Sequence, residues 1–398
     1  MVDQARMNRP RVMVVHNAYQ QAGGEDGVVA AELKLLRDHG HEVFEFRRDN
    51  QEIQTMKAPR LVANTLWSAS AHDQALTMLR THRPDVVHVH NTFPLISPSL
   101  YWACANAGVP VVQTLHNFRL ACPQAMFLRD GKICESCLGK MPWPALLHGC
   151  YRGSRAQSAV LFAMLTVHRV AGTYEHKVCR YIALSEFSKN KFIQAGLPGQ
   201  RIVVKPNFVQ RVPGAEPVTR DGLLFVGRLS PEKGVEVLAA ACKAIGTVRL
   251  RVAGTGNAVC HLEGLQGVAL LGGQTAVQVQ QEMHGAVALV LPSICFEGFP
   301  LTLVEAFSCC LPVIASRIGA LAELVEHGVT GLLFTPGNAG ELAETMQWAT
   351  AHPQEMAAMG RNARALYERR YTPEINYRQL MAIYQSAVSE VTAEVAHA

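Results

Sequence analysis

The strongest constraint on this chain is a repeated alternation of short apolar runs with helix-length segments. Val12–Val15, Val43–Phe46, Asp85–Val89 and Val109–Leu115 come first; Leu223–Val226, Leu250–Ala253, Ala288–Leu291, Pro312–Ala315 and Leu332–Phe334 follow. Continuous runs of this kind are what parallel strands covered on both faces show. Strand alternating with helix predicts an α/β chain with two doubly wound, Rossmann-like domains. Between the two sets, Gln210–Gly222 turns to Pro, Gly and charge (Val-Pro-Gly-Ala-Glu-Pro), which reads as a linker. The expected division is residues 1–209, residues 210–372, and a last helix, 373–398, opened by Thr372-Pro373.

A length of 398 residues suits two or three domains. With 49% apolar and 17% charged residues, a large buried core is expected and a disordered chain excluded. Lys and Arg exceed Asp and Glu by only 37 − 32 = 5, with no basic block, so no nucleic-acid partner is expected. The longest apolar stretches, Ala159–Val167 and Ala286–Phe296, fall short of a membrane span, and Val12–Val15 is too short for a signal-peptide core. The expected location is cytoplasmic.

Ligands of doubly wound sheets bind beyond the carboxyl ends of the strands, and four elements fall there. Glu297-Gly-Phe-Pro-Leu-Thr-Leu-Val-Glu305 sets two carboxylates seven residues apart. Pro300 is expected in the first helical turn, leaving Glu297 in the loop and Glu305 inside the helix, whose free N–H groups suit a phosphate. Gly227-Arg228-Leu-Ser-Pro-Glu-Lys233-Gly234 brings two cations that can neutralise a diphosphate, with Ser230-Pro231 expected to cap the following helix. Gly23-Gly24 allows close approach of backbone to a ligand. His116-Asn117 follows a strand directly, where an imidazole can bond a ligand hydroxyl. Taken singly, each of the last three reads at least as well as ordinary structure; together they pair a diphosphate site with polar groups facing it.

This set resembles the family 4 retaining glycosyltransferases of the GT-B fold, in which the active site lies in the cleft between two Rossmann-like domains. Gly-Gly-Glu near the start, Asp85-Val-Val-His-Val-His90-Asn91, Gly-Arg-x4-Lys-Gly and Glu-x7-Glu carry the resemblance. It implies that Glu305 bonds the nucleotide ribose and that Glu297 contacts hydroxyls of the donor sugar. The backbone of Gly298, Phe299, Pro300 and Leu301 would run along sugar and phosphate. Arg228 and Lys233 would hold the diphosphate, the Gly23-Gly24 loop would close over it, and His116 would approach the sugar. Base-binding loops would correspond to Gly254-Thr-Gly256 and Leu271-Gly272-Gly273. The implied reaction moves a sugar from a UDP- or GDP-sugar to a glycan or lipid-linked acceptor, with retention of configuration, in cell-surface polysaccharide synthesis. The chain has no Asp-x-Asp, so no metal cofactor is expected in catalysis.

Cys122, Cys134, Cys137 and Cys150, spaced Cys-x11-Cys-x2-Cys-x12-Cys, leave two readings open: a tetrahedral structural zinc, or four reduced thiols in a loop. A cysteine-bearing insertion at residues 122–150 resembles a subset of the same family. The other seven cysteines read as small core residues. Arg152–Arg169 reads as a helix that either buries its apolar face or rests peripherally on the inner face of a membrane. Rival functions are a non-catalytic nucleotide-sugar or metal-binding scaffold and an NAD-dependent dehydrogenase. For the latter, Gly254-Thr-Gly256 lacks the third glycine of a dinucleotide fingerprint, since Val259 stands there.

Overall fold

The computed structural model describes residues 9–20, 23–210 and 219–397; the Val212–Pro217 linker stretch lies outside them. The chain divides into two compact units. One comprises Met1–Ala125, Glu135–Pro206 and Asn376–Ala398, the other Met126–Cys134 and Asn207–Ile375.

The first unit holds a six-stranded sheet of β1 (Val12–Ala18), β2 (Val43–Asp49), β3 (Val86–Asn91), β4 (Val111–Leu115), β5 (Arg180–Ala183) and β6 (Ile202–Val204). Its order is β2-β1-β3-β4-β5-β6 and every pairing is parallel. Every residue of β1, β3 and β4 is buried, which is why these strands read as continuous runs rather than alternating ones. Helix α1 (Gly24–Asp38) packs Val28, Val29, Leu33, Leu35 and Leu36 inward, at about 1.5–3 kcal/mol for each fully buried side chain. Helix α2 (Arg155–Val170) starts at Ser154, whose side chain accepts from the Gln157 N–H. It buries Leu161, Met164 and Leu165, so most of its apolar face is consumed in the unit's own core; Val167 and Val170 stay exposed.

The second sheet comprises β7 (Leu223–Val226), β8 (Leu250–Ala253), β9 (Val268–Gly272), β10 (Ala288–Leu291), β11 (Val313–Ser316) and β12 (Gly331–Phe334). Its order, β9-β8-β7-β10-β11-β12, puts the third strand at one edge and reverses direction between the first and the fourth, β7 and β10. That reversal opens the crevice in which ligands of such sheets bind. Helices α3 (Val235–Ile245) and α4 (Leu301–Ser308) follow β7 and β10. The sheet residues Leu223, Phe225, Val252 and Val290 form one core with Val235, Leu238 and Cys242 of α3.

The last helix, α5 (Pro373–His397), contributes its residues from Asn376 onward to the first unit, where Leu380, Tyr384 and Ala387 are fully buried. Among the described residues no helix is long and apolar enough to cross a membrane.

Candidate functional site

In the second unit the strand ends at the β7/β10 reversal deliver Gly227-Arg228 and Pro292-Ser293. A pocket there is lined by Phe225, Val226, Lys233, Ser293, Glu297 and Thr302, among others. The Lys233 ammonium donates to Oε1 of Glu297 at 2.7 Å, and the Ser293 hydroxyl donates to the same oxygen at 2.7 Å. Burial works against charge on both members of the pair, but their mutual attraction outweighs it. Glu297 is held below the usual carboxylate range, with Arg228 adding to that pull, and Lys233 is raised. Both are therefore ionised at neutral pH. Arg228 itself is exposed.

Two expectations about local structure are corrected here. Ser230 does not cap a helix; its hydroxyl bonds Oε1 of Glu232 at 2.7 Å, and Pro231–Lys233 form a single 3-10 turn. Gly234 ends that turn at φ 71°, and a Cβ on it would lie 1.8 Å from the Pro292 carbonyl oxygen. Only glycine allows the loop after β7 to pass this close to the loop after β10, and that passage sets Lys233 against Glu297. Pro300, for its part, is the N-cap of α4 with extended backbone rather than part of its first turn. Glu297 lies in the preceding loop and Glu305 inside α4, where burial raises the Glu305 carboxyl. The N–H groups of the first turn have no partner within the helix, which makes this end a receptive place for an anion.

The two glycine loops differ in kind. Gly254 is required by packing, since a Cβ there would meet the Gly227 carbonyl oxygen at 1.8 Å, and Leu271-Gly272 closes the edge strand β9 rather than forming a free loop. Gly23 has extended backbone and open space around its Cβ position. The local fold therefore does not demand glycine at Gly23.

In the first unit the Gly23 N–H donates to the Asp26 carboxylate at 2.8 Å, and His16 Nε2 lies 2.8 Å from its other oxygen. Burial opposes the charge on Asp26, but these bonds hold its carboxyl below the usual range. The neighbouring Glu25 goes the other way. Burial pushes it up to about 8, although the Tyr19 hydroxyl donates to it at 2.9 Å. A bulge between Val15 and His16 in the β1/β3 pairing turns His16 toward this group.

His116 follows β4 and lines a second pocket with His90, Asn91, Gln113, Asn117 and Arg119. Its Nε2 is 2.9 Å from Nδ1 of His90. His88 and His90 lie on one face of β3, both buried, and reach Oε1 of Glu32 on α1 at 2.8 and 3.3 Å. Both histidines belong to the Asp85–Asn91 motif, and their spacing of two along a strand, which puts them on one face, is the signal that marks them. Glu32 and Lys205 went unnoticed, because nothing in a sequence brings residues 173 apart together, and Ser293, four residues before Glu297, belongs to no motif.

Glu32, His88 and His90 hold one ligand atom each within 4.8 Å of one another, the spacing a metal ion could use. The donor set does not fit one. The Lys205 ammonium sits 3.2 Å from Oε2 of Glu32, and both nitrogens of His88 already have partners, Tyr384 at 2.7 Å and Thr114 at 2.8 Å. As for the cysteines, Cys122 and Cys137 are buried, Cys134 and Cys150 half-buried. Of the other seven, four are buried and two half-buried, but Cys260 is exposed and is not a core residue.

Residues 208–366 match the family model described as glycosyl transferases group 1, and residues 22–211 match that of glycosyltransferase family 4. An uncharacterized glycosyltransferase of Methanocaldococcus jannaschii is 29% identical over 213 residues, 51% of this chain and 60% of that protein. The amylovoran biosynthesis glycosyltransferase AmsK of Erwinia amylovora is 27% identical over 228 residues, 51% of this chain and 55% of AmsK. The chain thus spans little more than half the length of these two relatives. Among solved structures, Anabaena HepE in complex with UDP and glucose superposes with a TM-score of 0.67 at 21% identity, covering 94% of this chain and 98% of HepE. Two Rossmann-like domains of the GT-B type are common to both chains.

Proposed function

We propose that the chain is a GT-B-fold glycosyltransferase of the group 1 and family 4 kind that transfers a sugar from a UDP- or GDP-sugar to a glycan or lipid-linked acceptor. The observation that carries the reading is the ionised Lys233–Glu297 pair beside the N-terminus of α4, at the strand reversal where nucleotides bind in such sheets. Lys233, Arg228 and the free N–H groups of α4 are cations and dipoles already in place for the diphosphate. As the anomeric carbon–oxygen bond breaks, negative charge builds on the departing phosphate, and groups preorganised around that charge lower the barrier most.

Glu297, with Oε1 engaged by Lys233 and Ser293, keeps Oε2 as an acceptor for sugar hydroxyls, and Glu305 bonds the ribose. The backbone of Gly298, Phe299, Pro300 and Leu301 follows sugar and phosphate, and the Gly23-Gly24 loop closes on the diphosphate. We assign transfer with retention. The acceptor oxygen attacks from the face the phosphate leaves, the new carbon–oxygen bond forms as the old one breaks, and the acceptor proton passes to the departing phosphate oxygen. No protein nucleophile and no catalytic metal is then needed. Cys122, Cys134, Cys137 and Cys150 are assigned to a structural zinc, since four thiolates suit a tetrahedral site. That AmsK is a glycosyltransferase of amylovoran biosynthesis supports a biosynthetic transfer here. Exposed Trp143 and Leu147 near Arg155, and exposed Val167 and Val170 at the far end of α2, support peripheral contact with a membrane holding a lipid-linked acceptor.

The test is thermal stabilisation by UDP, GDP, ADP and NAD, on the wild type and Arg228→Ala. A nucleoside diphosphate that stabilises the wild type and not the variant supports the reading and identifies the base. Stabilisation by NAD alone, or by nothing, overturns it.

A further inference from the structure

Behind His116 runs a chain of buried groups that the proposed transfer does not use. Glu32 is 1% exposed and His90 4%. Oε2 of Glu32 meets the Lys205 ammonium at 3.2 Å, and Lys205 in turn donates to Oδ1 of Asn376 at 3.1 Å. Asn376 is held by its own bond to the Pro206 carbonyl at 2.7 Å. Burial alone would keep Glu32 neutral, but Lys205 and His88 reverse this and hold its carboxyl well below the usual range.

An ionised carboxylate only accepts hydrogen bonds. His90 is neutral, burial having driven it down to about 4, and so carries one ring proton. Its Nε2 lies 3.3 Å from Oε1 of Glu32, off the line of a hydrogen bond, so the pull between them is that of charge on dipole. A lone pair on that nitrogen would face a buried anion, so the proton belongs on Nε2. Nδ1 of His90 is then bare, and the Nε2 of His116, 2.9 Å away, must be the donor between them. His116 is neutral too, burial holding it well below its usual value, so its remaining nitrogen has no proton.

We propose that Glu32 is a positioning residue that fixes His116, through His90, in the Nε2–H form, so that Nδ1 of His116 offers a substrate hydroxyl an acceptor and not a donor. The substrate half of this statement rests on the transferase reading; the tautomer half does not. The same geometry says what Glu32→Gln would do. Lys205 is donor-only and takes the amide oxygen, which leaves the amide NH2 facing His90 Nε2. That nitrogen must then accept, the His90 proton moves to Nδ1, and His116 is flipped to the Nδ1–H form.

The test uses the full chain labelled with 15N-histidine and long-range proton–nitrogen correlation spectra, with His116 assigned by the signals lost in His116→Gln. In the wild type His116 should show a protonated Nε2 and an unprotonated Nδ1, and in Glu32→Gln the reverse. A wild-type His116 protonated on Nδ1, or on both nitrogens, overturns the proposal, and that result needs no variant of Glu32 to fold. An unchanged tautomer in folded Glu32→Gln overturns it as well. The flipped form should also transfer about ten- to a hundredfold more slowly, the cost of one hydrogen bond turned into a donor–donor clash, with nucleoside diphosphate affinity unchanged. Unchanged turnover in a flipped Glu32→Gln overturns the substrate half. A wild type with no transferase activity would sink the proposed function and leave the tautomer result standing.

Discussion

The Lys233 ammonium and Oε1 of Glu297 lie 2.7 Å apart although 64 residues separate them in sequence. Each holds the other in its charged form inside a pocket that would otherwise neutralise both. Lys233→Ala should therefore do two things at once. It removes a cation from the diphosphate site and leaves Glu297 with only the Ser293 bond and the pull of Arg228, so its carboxyl rises. Calorimetric titration with UDP or GDP should show affinity falling at least about tenfold, one charge-assisted bond being worth ~1.5–3 kcal/mol. Undiminished affinity in a folded variant would remove Lys233 from the site.

The same pair sets a pH dependence of stability. The Glu297 carboxyl is lower in the folded chain than its ordinary value of 4.5, so its contribution is complete above that value and is lost as pH falls through the folded value. Lys233 is raised above 10.5, so its contribution is complete below that pH and is lost as pH rises through the folded value. Melting temperature against pH, compared between wild type and Lys233→Met/Glu297→Gln, should show the double variant less sensitive at both extremes. Parallel curves would contradict the pairing.

His90, buried, and His116, half-buried, act differently, both being held neutral. His90 falls from 6.5 to about 4 on folding, so the unfolded chain binds its proton first, and stability declines as pH drops from 6.5 toward 4. Each such histidine adds a slope of about 1.4 kcal/mol per pH unit within its window. Denaturant unfolding of His116→Gln between pH 7 and pH 4.5 should show a shallower decline than wild type; an equal slope would mean that His116 is already charged in the folded chain.

Gly234→Ala places a Cβ 1.8 Å from the Pro292 carbonyl oxygen at φ 71°. We expect a loss of about 2–4 kcal/mol in urea unfolding, with weakened nucleotide binding because the loop holding Lys233 must shift. Gly23→Ala is the contrast, since its Cβ meets nothing within 4 Å. Stability should change by no more than about 0.5 kcal/mol while turnover falls. If both variants lost stability alike, Gly23 would be a structural glycine.

For the cysteines, metal analysis should find one zinc per chain, and Cys137→Ser should release it. Chelation by EDTA mild enough to spare that zinc should leave transfer unchanged. Transfer abolished by EDTA and restored by added Mn2+ or Mg2+ would overturn the metal-independent mechanism.

The central strands were legible because burial on both faces makes them continuous apolar runs, and Leu223–Val226, Leu250–Ala253 and Ala288–Leu291 occur at the expected residues. β6 was missed because it is only three residues long, and β5 because it opens with Arg180 in a four-residue run. β9 lies at an edge with Ala269 and Leu270 exposed, so no burial on both faces marks it. The local detail of Ser230 and Pro300 was misread, since cap preference competes with Glu232 in one case and with chain direction in the other.

Two doubly wound sheets and the chemical inventory along them are written into the residue order: paired carboxylates, two cations, glycines and a histidine at strand ends. These follow from periodicity and from residue type, which are local. Packing in three dimensions is what ionises Glu297 through Lys233, imposes Gly234 through the Pro292 carbonyl, and sets Glu32 behind His90 and His116. Charge state and tautomer are set by desolvation and by the partner a few ångströms away. That partner is brought there by packing, which no local pattern encodes.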